Sequence, residues 1–187
     1  MNPVLYFSGV IKALGQDDSW PDDFDLTGTG FCRSFFAIFL SVPCYFISAV
    51  AIQAERARVL GIDPLYPNML FFMILAPYML MFFFCAYVIS VIFERMELFK
   101  PWVIVRHWAM FFAALPVTAG FGLYLLNLLP FAVAYGVAMF IYLGTLAIDI
   151  RLASRVAGFQ WGPAVFIGCF ITGMSMAVLL IGALQTV

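Results

Sequence analysis

Five long apolar segments follow one another along the chain, separated by short stretches that hold most of its charged residues. They cover Phe35–Ala54, Met69–Phe93, Trp108–Leu126, Leu128–Ile148 and Ala164–Leu184. A helix needs about 20 apolar residues to cross a bilayer, and only helices and closed barrels satisfy their backbone hydrogen bonds in lipid. The pattern predicts an all-α integral membrane protein, with five transmembrane helices bundled within residues 34–187.

Residues 1–33 form a separate, more polar segment, predicted to be cytoplasmic. Apolar residues recur at helical spacing at Val4, Phe7, Val10, Ile11 and Leu14, which predicts a short amphipathic helix. Two placements stay open for it, lying in the membrane interface or docking on the underside of the bundle. A solvated acidic loop follows, since the spacing of its aspartates does not match an EF-hand; they are Asp17, Asp18, Asp22, Asp23 and Asp25.

Composition excludes several classes of protein. Hydrophobic residues make up 65% of the 187 residues and charged ones only 10%, against about 25% charged in a soluble domain. The net charge of -1 argues against a nucleic-acid partner, which would require a basic patch. The four cysteines form no zinc-binding pattern and are interpreted as small residues packed between helices, at Cys32, Cys44, Cys85 and Cys169. No metal or other cofactor is predicted.

Basic residues are unevenly distributed between the loops. Seven lie in the N-terminal segment and the second and fourth loops, whereas the opposite side holds only Arg56 and Arg58. Because loops rich in Lys and Arg stay in the cytoplasm, the N-terminus is predicted to be cytoplasmic and the C-terminus outside. Tryptophans near the cytoplasmic ends suggest an aromatic belt there, formed by Trp20, Trp102, Trp108 and Trp161.

The cytoplasmic rim is the predicted surface for contacts with the lipid bilayer, anionic lipid in particular, or with a membrane-protein partner. Its candidate residues are Arg95, Lys100, Arg106, His107, Arg151 and Arg155. Each basic group near an anionic surface contributes about 1 kcal/mol. His107, the only histidine, is predicted to be interfacial, in contact with Glu94, Glu97 or headgroups, and Pro101 is predicted to open the third helix.

Two further patterns concern helix packing. Small residues form two rows on the fifth span, Ala164/Gly168/Thr172 and Cys169/Gly173/Ala177, which predict close helix contacts within the monomer, with a homo-oligomer as the alternative. Arg33–Pro43 and Arg106–Pro116 share an initial arginine, aromatics at two positions and a proline ten residues on. The similarity indicates either an internal parallel repeat or a convergent helix start.

No catalytic motif is recognisable, and no Asp, Glu, Lys or Arg lies at the middle of a predicted span. Ion-coupled carriers and pumps normally keep such a residue. The sequence therefore favours a non-enzymatic scaffold, accessory or membrane-organising protein. A small-solute transporter or channel component is the alternative, favoured by the prolines within spans and the possible repeat; an enzyme comes third.

Five spans with a cytoplasmic N-terminus and a short outer tail resemble the Yip family of membrane proteins. Asp63-Pro64-Leu65-Tyr66-Pro67 before a span is similar to that family's Asp-Leu-Tyr-Gly-Pro box, although in the family the box precedes the first span. The resemblance implies a non-enzymatic membrane-organising or trafficking role and is compatible with residence in a bacterial inner membrane.

Overall fold

The chain folds into a bundle of helices. In the computed structural model, which describes residues 3–64 and 67–184, six α-helices and one short 3-10 helix are present. The α-helices are α1 (Pro3–Leu14), α2 (Gly28–Leu60), α3 (Met69–Ile92), α4 (Met96–Leu125), α5 (Phe131–Arg155) and α6 (Trp161–Leu184), with the 3-10 helix Trp20–Asp23 between α1 and α2. Helices α2 to α6 are long and apolar enough to cross a membrane. The predicted five-span membrane bundle with a short N-terminal helix is confirmed.

Helix α2 is longer than its apolar segment at both ends. It begins after Thr27, whose hydroxyl accepts a hydrogen bond from the Gly30 amide at 3.3 Å, and it ends at Gly61, which has a φ of 66°. Its 33 residues extend about 50 Å at 1.5 Å per residue, beyond a hydrocarbon core of about 30 Å. The predicted division between residues 33 and 34 lies inside this helix.

Helix α4 begins at Met96, before its apolar segment begins at Trp108, so Pro101 lies inside the helix and does not open it as predicted. The early start follows from burial, since Phe99 packs on Phe83 and Trp102 on Phe82, each with ring centroids 5.5 Å apart. Proline removes one backbone hydrogen bond from the helix, and the burial of two aromatic side chains offsets that loss.

Helix α4 is also the centre of the bundle. It packs against α1, α2, α3 and α5, and two runs along it are buried on all sides, Trp102–Val105 and His107–Ala109. The exposed fraction is 0% for Trp102 and 3% for Trp108. The prediction that these two tryptophans belong to an interfacial belt is therefore wrong, because the helix that carries them forms the core.

Packing differs between the two ends of the bundle. The end where α1 lies, called here the α1 end, contains the large core of buried side chains around α4. At the opposite end the buried cluster is small and centres on Ala51, Phe121 and Ala134. The helices enclose open space between these clusters, and this space includes the site described below.

Helix α1 docks on the bundle and keeps one apolar edge exposed. The Tyr6 ring stacks on Trp108 at 4.5 Å, and Val10 and Ala13 are buried. Leu5 and Ile11 are exposed on the other side. Of the two placements left open by the sequence, the observed contacts correspond to docking on the bundle. The exposed edge also gives the helix an apolar surface that is suited to the membrane interface.

Candidate functional site

A buried ion pair joins helices α4 and α5. Arg106 of α4 faces Asp149 of α5, with 3.1 Å between Nε and Oδ1, and the two side chains are 14% and 2% exposed. The guanidinium carbon of Arg106 also lies 4.3 Å from the centroid of the Phe82 ring. A charged pair within membrane helices is costly to bury and usually marks a functional or specificity-determining position.

Sequence reasoning placed Arg106 at the rim and did not single out Asp149. The structure extends α4 ten residues before Arg106 and pairs its side chain, 14% exposed, with Asp149, and contact of Arg106 with lipid or a partner stays a prediction. A signal was present in the sequence. Arg106 lies 21 residues before Asn127 and Asp149 lies 22 residues after it, so a tight antiparallel hairpin turning at Asn127 brings the two charges to the same level.

His107 is buried in the bundle. Its side chain is 2% exposed, and its Nδ1 lies 3.0 Å from the hydroxyl of Ser34 on α2. Since Ser34 donates its hydroxyl proton to the Phe31 carbonyl at 2.8 Å, it accepts from Nδ1–H, which leaves Nε2 as a bare acceptor. Nε2 is buried and has no hydrogen-bond partner among the described residues. The predicted contact of His107 with Glu94, Glu97 or headgroups is replaced by a buried contact between helices.

A small polar cavity adjoins these residues. Its volume is about 30 Å³, and its polar lining comprises Ser41, Tyr45, Tyr78, Arg106, His107 and Ser175. Two of these hydroxyls donate to backbone carbonyls of their own helices, Ser41 to Ala37 and Ser175 to Ile171, so their oxygens remain acceptors. A cavity of this size holds about one water molecule, and it offers both donors and acceptors.

A larger apolar cavity lies beside the polar one. It has a volume of about 370 Å³ and is lined by α2, α3, α4 and α5, with Leu179 of α6. Tyr45, Tyr78 and Met110 line both cavities. Tyr142 of α5 lines the larger one, and its buried hydroxyl has no hydrogen-bond partner in the part of the chain that the structure describes. We call the two adjoining cavities the chamber, and the smaller one its polar end.

The remaining rim arginines hold parts of this chain together. Arg95 donates to the carbonyls of Ala157 and Gly158 at 3.1 and 2.7 Å. Arg151 donates to the carbonyls of Leu14 and Gly15 at 3.0 and 3.1 Å, which caps the end of α1, and Arg155 pairs with Asp18 at 2.7 Å. Lys100 is exposed. Lipid or partner contact by these residues stays a prediction.

The acidic loop is ordered by contacts within the N-terminal segment. Lys12 pairs with Asp23 at 2.8 Å, and this contact raises the pKa of Lys12. Hydrogen bonds from Ser19 lower the pKa of Asp17, and those from Thr27 lower the pKa of Asp25. Over the described residues, no group of three or more His, Cys, Asp or Glu side chains could hold a metal ion.

The two small-residue rows of α6 face different surroundings. Gly168 is buried against Ile150 of α5, where an added Cβ would lie 2.9 Å from the Ile150 amide nitrogen. Gly173 has nothing within 4 Å of such a Cβ, and Cys169 is exposed. Thr172 and Ala177 are partly buried. Gly168 therefore packs within the monomer, and self-association through the row Cys169/Gly173/Ala177 stays a prediction.

The two similar segments, Arg33–Pro43 and Arg106–Pro116, lie on α2 and α4, whose contact includes the Ser34–His107 hydrogen bond. Their arginines differ, since Arg33 is 60% exposed and lies 3.8 Å from Asp25. In the box of residues 63–67, Leu65 and Tyr66 are outside the described residues.

Comparison with family models, with curated proteins and with solved structures finds no match for this chain.

Proposed function

We propose that this protein is a non-enzymatic membrane protein of the accessory or membrane-organising type, whose bundle holds an apolar ligand taken from the bilayer. The observation that carries the proposal is the apolar cavity of about 370 Å³ between α2, α3, α4 and α5. Ligand sites are mostly apolar clefts of about 300–1,000 Å³ with a few polar groups. The cavity matches this description, and Tyr45, Tyr78 and Tyr142 are among its polar groups.

The buried residues favour binding over catalysis. Ser34 and His107 are the one nucleophile–base pair at the site, but the Ser34 hydroxyl proton is held by the Phe31 carbonyl. Ser34 is 0% exposed and lines neither cavity. A serine nucleophile has to give its proton to the base and reach the substrate, and this serine does neither. A membrane-organising role is also what the resemblance to the Yip family implies.

Photolabelling in liposomes tests the proposal. Hexadecane carrying a mid-chain diazirine is incorporated into the membrane, and labelled peptides are mapped by mass spectrometry. Labelling of cavity-lining peptides is expected in the parent and should fall about tenfold in Ala138→Phe, which fills the cavity from α5. Ala147→Phe, at an exposed position of the same helix, is the matched control and should label as the parent does. Equal cavity labelling of both variants would refute the proposal.

The orientation is part of the proposal. The bias of seven basic residues against two favours a cytoplasmic N-terminus and an outer C-terminus, in a bacterial inner membrane. An alkaline phosphatase fusion after Val187 should be active outside the cytoplasm, and one after Arg155 should not be. The reverse pattern would overturn this orientation.

A small-solute transporter is the second candidate, and the Arg106–Asp149 pair favours it. Intramembrane ionisable pairs occur in proton and ion pathways, and this pair borders a polar cavity. The binding role predicts no proton or sodium flux into proteoliposomes under an imposed gradient. A protein-dependent flux that is lost in His107→Phe would instead favour transport.

A further inference from the structure

Two hydrogen-bonding groups on residues that line the chamber have no partner among the described residues, one of them at its polar end. They are the Nε2 acceptor of His107, whose side chain is 2% exposed, and the hydroxyl of Tyr142. A buried polar group left unpaired is costly, and groups of this kind in a native structure require an explanation. A bound molecule that supplies the missing hydrogen bonds provides one.

The charge of this end limits the chemistry of that molecule. Arg106 and Asp149 neutralise one another at 3.1 Å, and a charged imidazolium at His107, 2% exposed and next to Arg106, would be costly to bury. The end therefore carries no net charge, and an anionic or cationic head group would be buried without a counter-charge. Burying an unpaired charge costs far more than burying a neutral polar group.

Resting on the proposed function, we infer that the ligand is a neutral single-chain amphiphile with a hydroxyl head, of the class of long-chain alcohols. Its O–H donates to Nε2 of His107 at the small cavity, directly or through the single water for which that cavity has room, and its oxygen accepts from the hydroxyl of Tyr142, which lines the larger cavity. The hydrocarbon chain lies in the apolar cavity, between α2 and α5.

Three diazirine probes of equal chain length test the inference in liposomes. They are hexadecanol, hexadecyl methyl ether, which accepts but cannot donate, and hexadecyl phosphate, which is charged. In the parent, hexadecanol should label the cavity about three- to tenfold more than the ether, the effect of one hydrogen bond. It should label at least tenfold more than the phosphate.

Two variants assign the head-group contacts. His107→Phe keeps an aromatic ring against Phe35 and should abolish the preference for alcohol over ether. Tyr142→Phe loses no partner within the protein and should lower labelling by both probes alike, about threefold. Tyr87→Phe, exposed on α3, is the control and should change nothing, and helical content by circular dichroism confirms that each variant is folded.

The outcomes separate the inference from the proposed function. Equal labelling by the three probes, preference for the phosphate, or an unchanged alcohol-to-ether ratio in His107→Phe would overturn the inference and leave apolar binding intact. Failure of every probe, and of the headless hexadecane, to label the cavity would overturn both.

Discussion

Removing one partner of the Arg106–Asp149 pair should destabilise the bundle far more than removing both. Asp149→Leu leaves a guanidinium that is permanently charged and 14% exposed. Arg106→Met leaves a carboxylate that is 2% exposed but able to take up a proton. The double variant, Arg106→Met with Asp149→Leu, replaces the pair with apolar side chains and leaves no buried charge.

The expected magnitudes follow from these differences. Breaking a buried pair costs about 3–5 kcal/mol, whereas replacing both partners by apolar residues is often close to neutral. For Asp149→Leu we expect about 3 kcal/mol, because the Arg106 guanidinium keeps the Phe82 ring at 4.3 Å, a contact that contributes up to about 2 kcal/mol when desolvated. The double variant should lie within about 1 kcal/mol of the parent.

Arg106→Met should introduce a dependence of stability on pH. Protonating a carboxyl group with the ordinary pKa of about 3.9 costs about 4 kcal/mol at pH 7 and about 1.4 kcal/mol less for each pH unit below that. The free energy of protonation is the upper limit of the destabilisation that Arg106→Met can cause, because the buried carboxylate can take up a proton instead of staying charged. Since the folded variant then binds a proton that the unfolded chain does not, its stability should rise as the pH falls from 7 to 4.

Unfolding by a denaturing detergent, followed by tryptophan fluorescence, measures these free energies. Trp102 and Trp108 are buried in the core of α4 and report on its packing. Lys100→Met, which removes an exposed cation from the same helix, is the matched control and should stay within about 0.5 kcal/mol of the parent. A single Asp149→Leu variant as stable as the parent, or a double variant less stable than either single one, would refute the reasoning.

Three smaller predictions concern helix packing and the N-terminal segment. Gly168→Ala places a methyl group 2.9 Å from the Ile150 amide nitrogen and should lower the free energy of unfolding by about 1–3 kcal/mol. Gly173→Ala, which has nothing within 4 Å of the added methyl group, is the control and should not lower it. Equal melting temperatures of the two variants would contradict the Gly168–Ile150 contact. Arg151→Gln removes the donors to Leu14 and Gly15 and should speed hydrogen exchange in α1 by about tenfold or more; unchanged exchange would show that apolar contacts alone hold α1. Because hydrogen bonds lower the pKa of Asp17 and Asp25, their stabilisation of the loop is present above about pH 4 and is lost at lower pH. Exchange in residues 17–27, corrected for intrinsic rates, should increase from pH 5 to pH 3, and Asp17→Asn should reduce that increase.

The sequence by itself determined the class of the protein and the number of its spans. Segments such as Met69–Phe93 leave no other structure in a bilayer, because every backbone group has to be paired within the segment. The N-terminal helix was also predictable from its apolar spacing. These properties depend only on the composition of each segment and on the spacing of its apolar residues. They could therefore be predicted without knowing which distant residues are in contact.

The tertiary structure decided which residues are inside the bundle. Trp102, Trp108 and His107 follow charged residues, as interfacial side chains often do, but α4 packs against four other helices and buries all three. Helices α3 and α4 have no strongly amphipathic face. Their sequences therefore do not show which side of each helix packs inside the bundle. Which residues of these helices are buried depends on which other helices pack against them.

The candidate site depends on the same packing. Asp149 ends one apolar segment and Arg106 precedes another, and each by itself is typical of a charge at a membrane surface. Only the hairpin of α4 and α5 brings them within 3.1 Å. Only the open space between the two clusters of buried side chains gives His107 and Tyr142 the cavities that they line. Local sequence specifies helices, whereas a binding site requires side chains from several helices to converge.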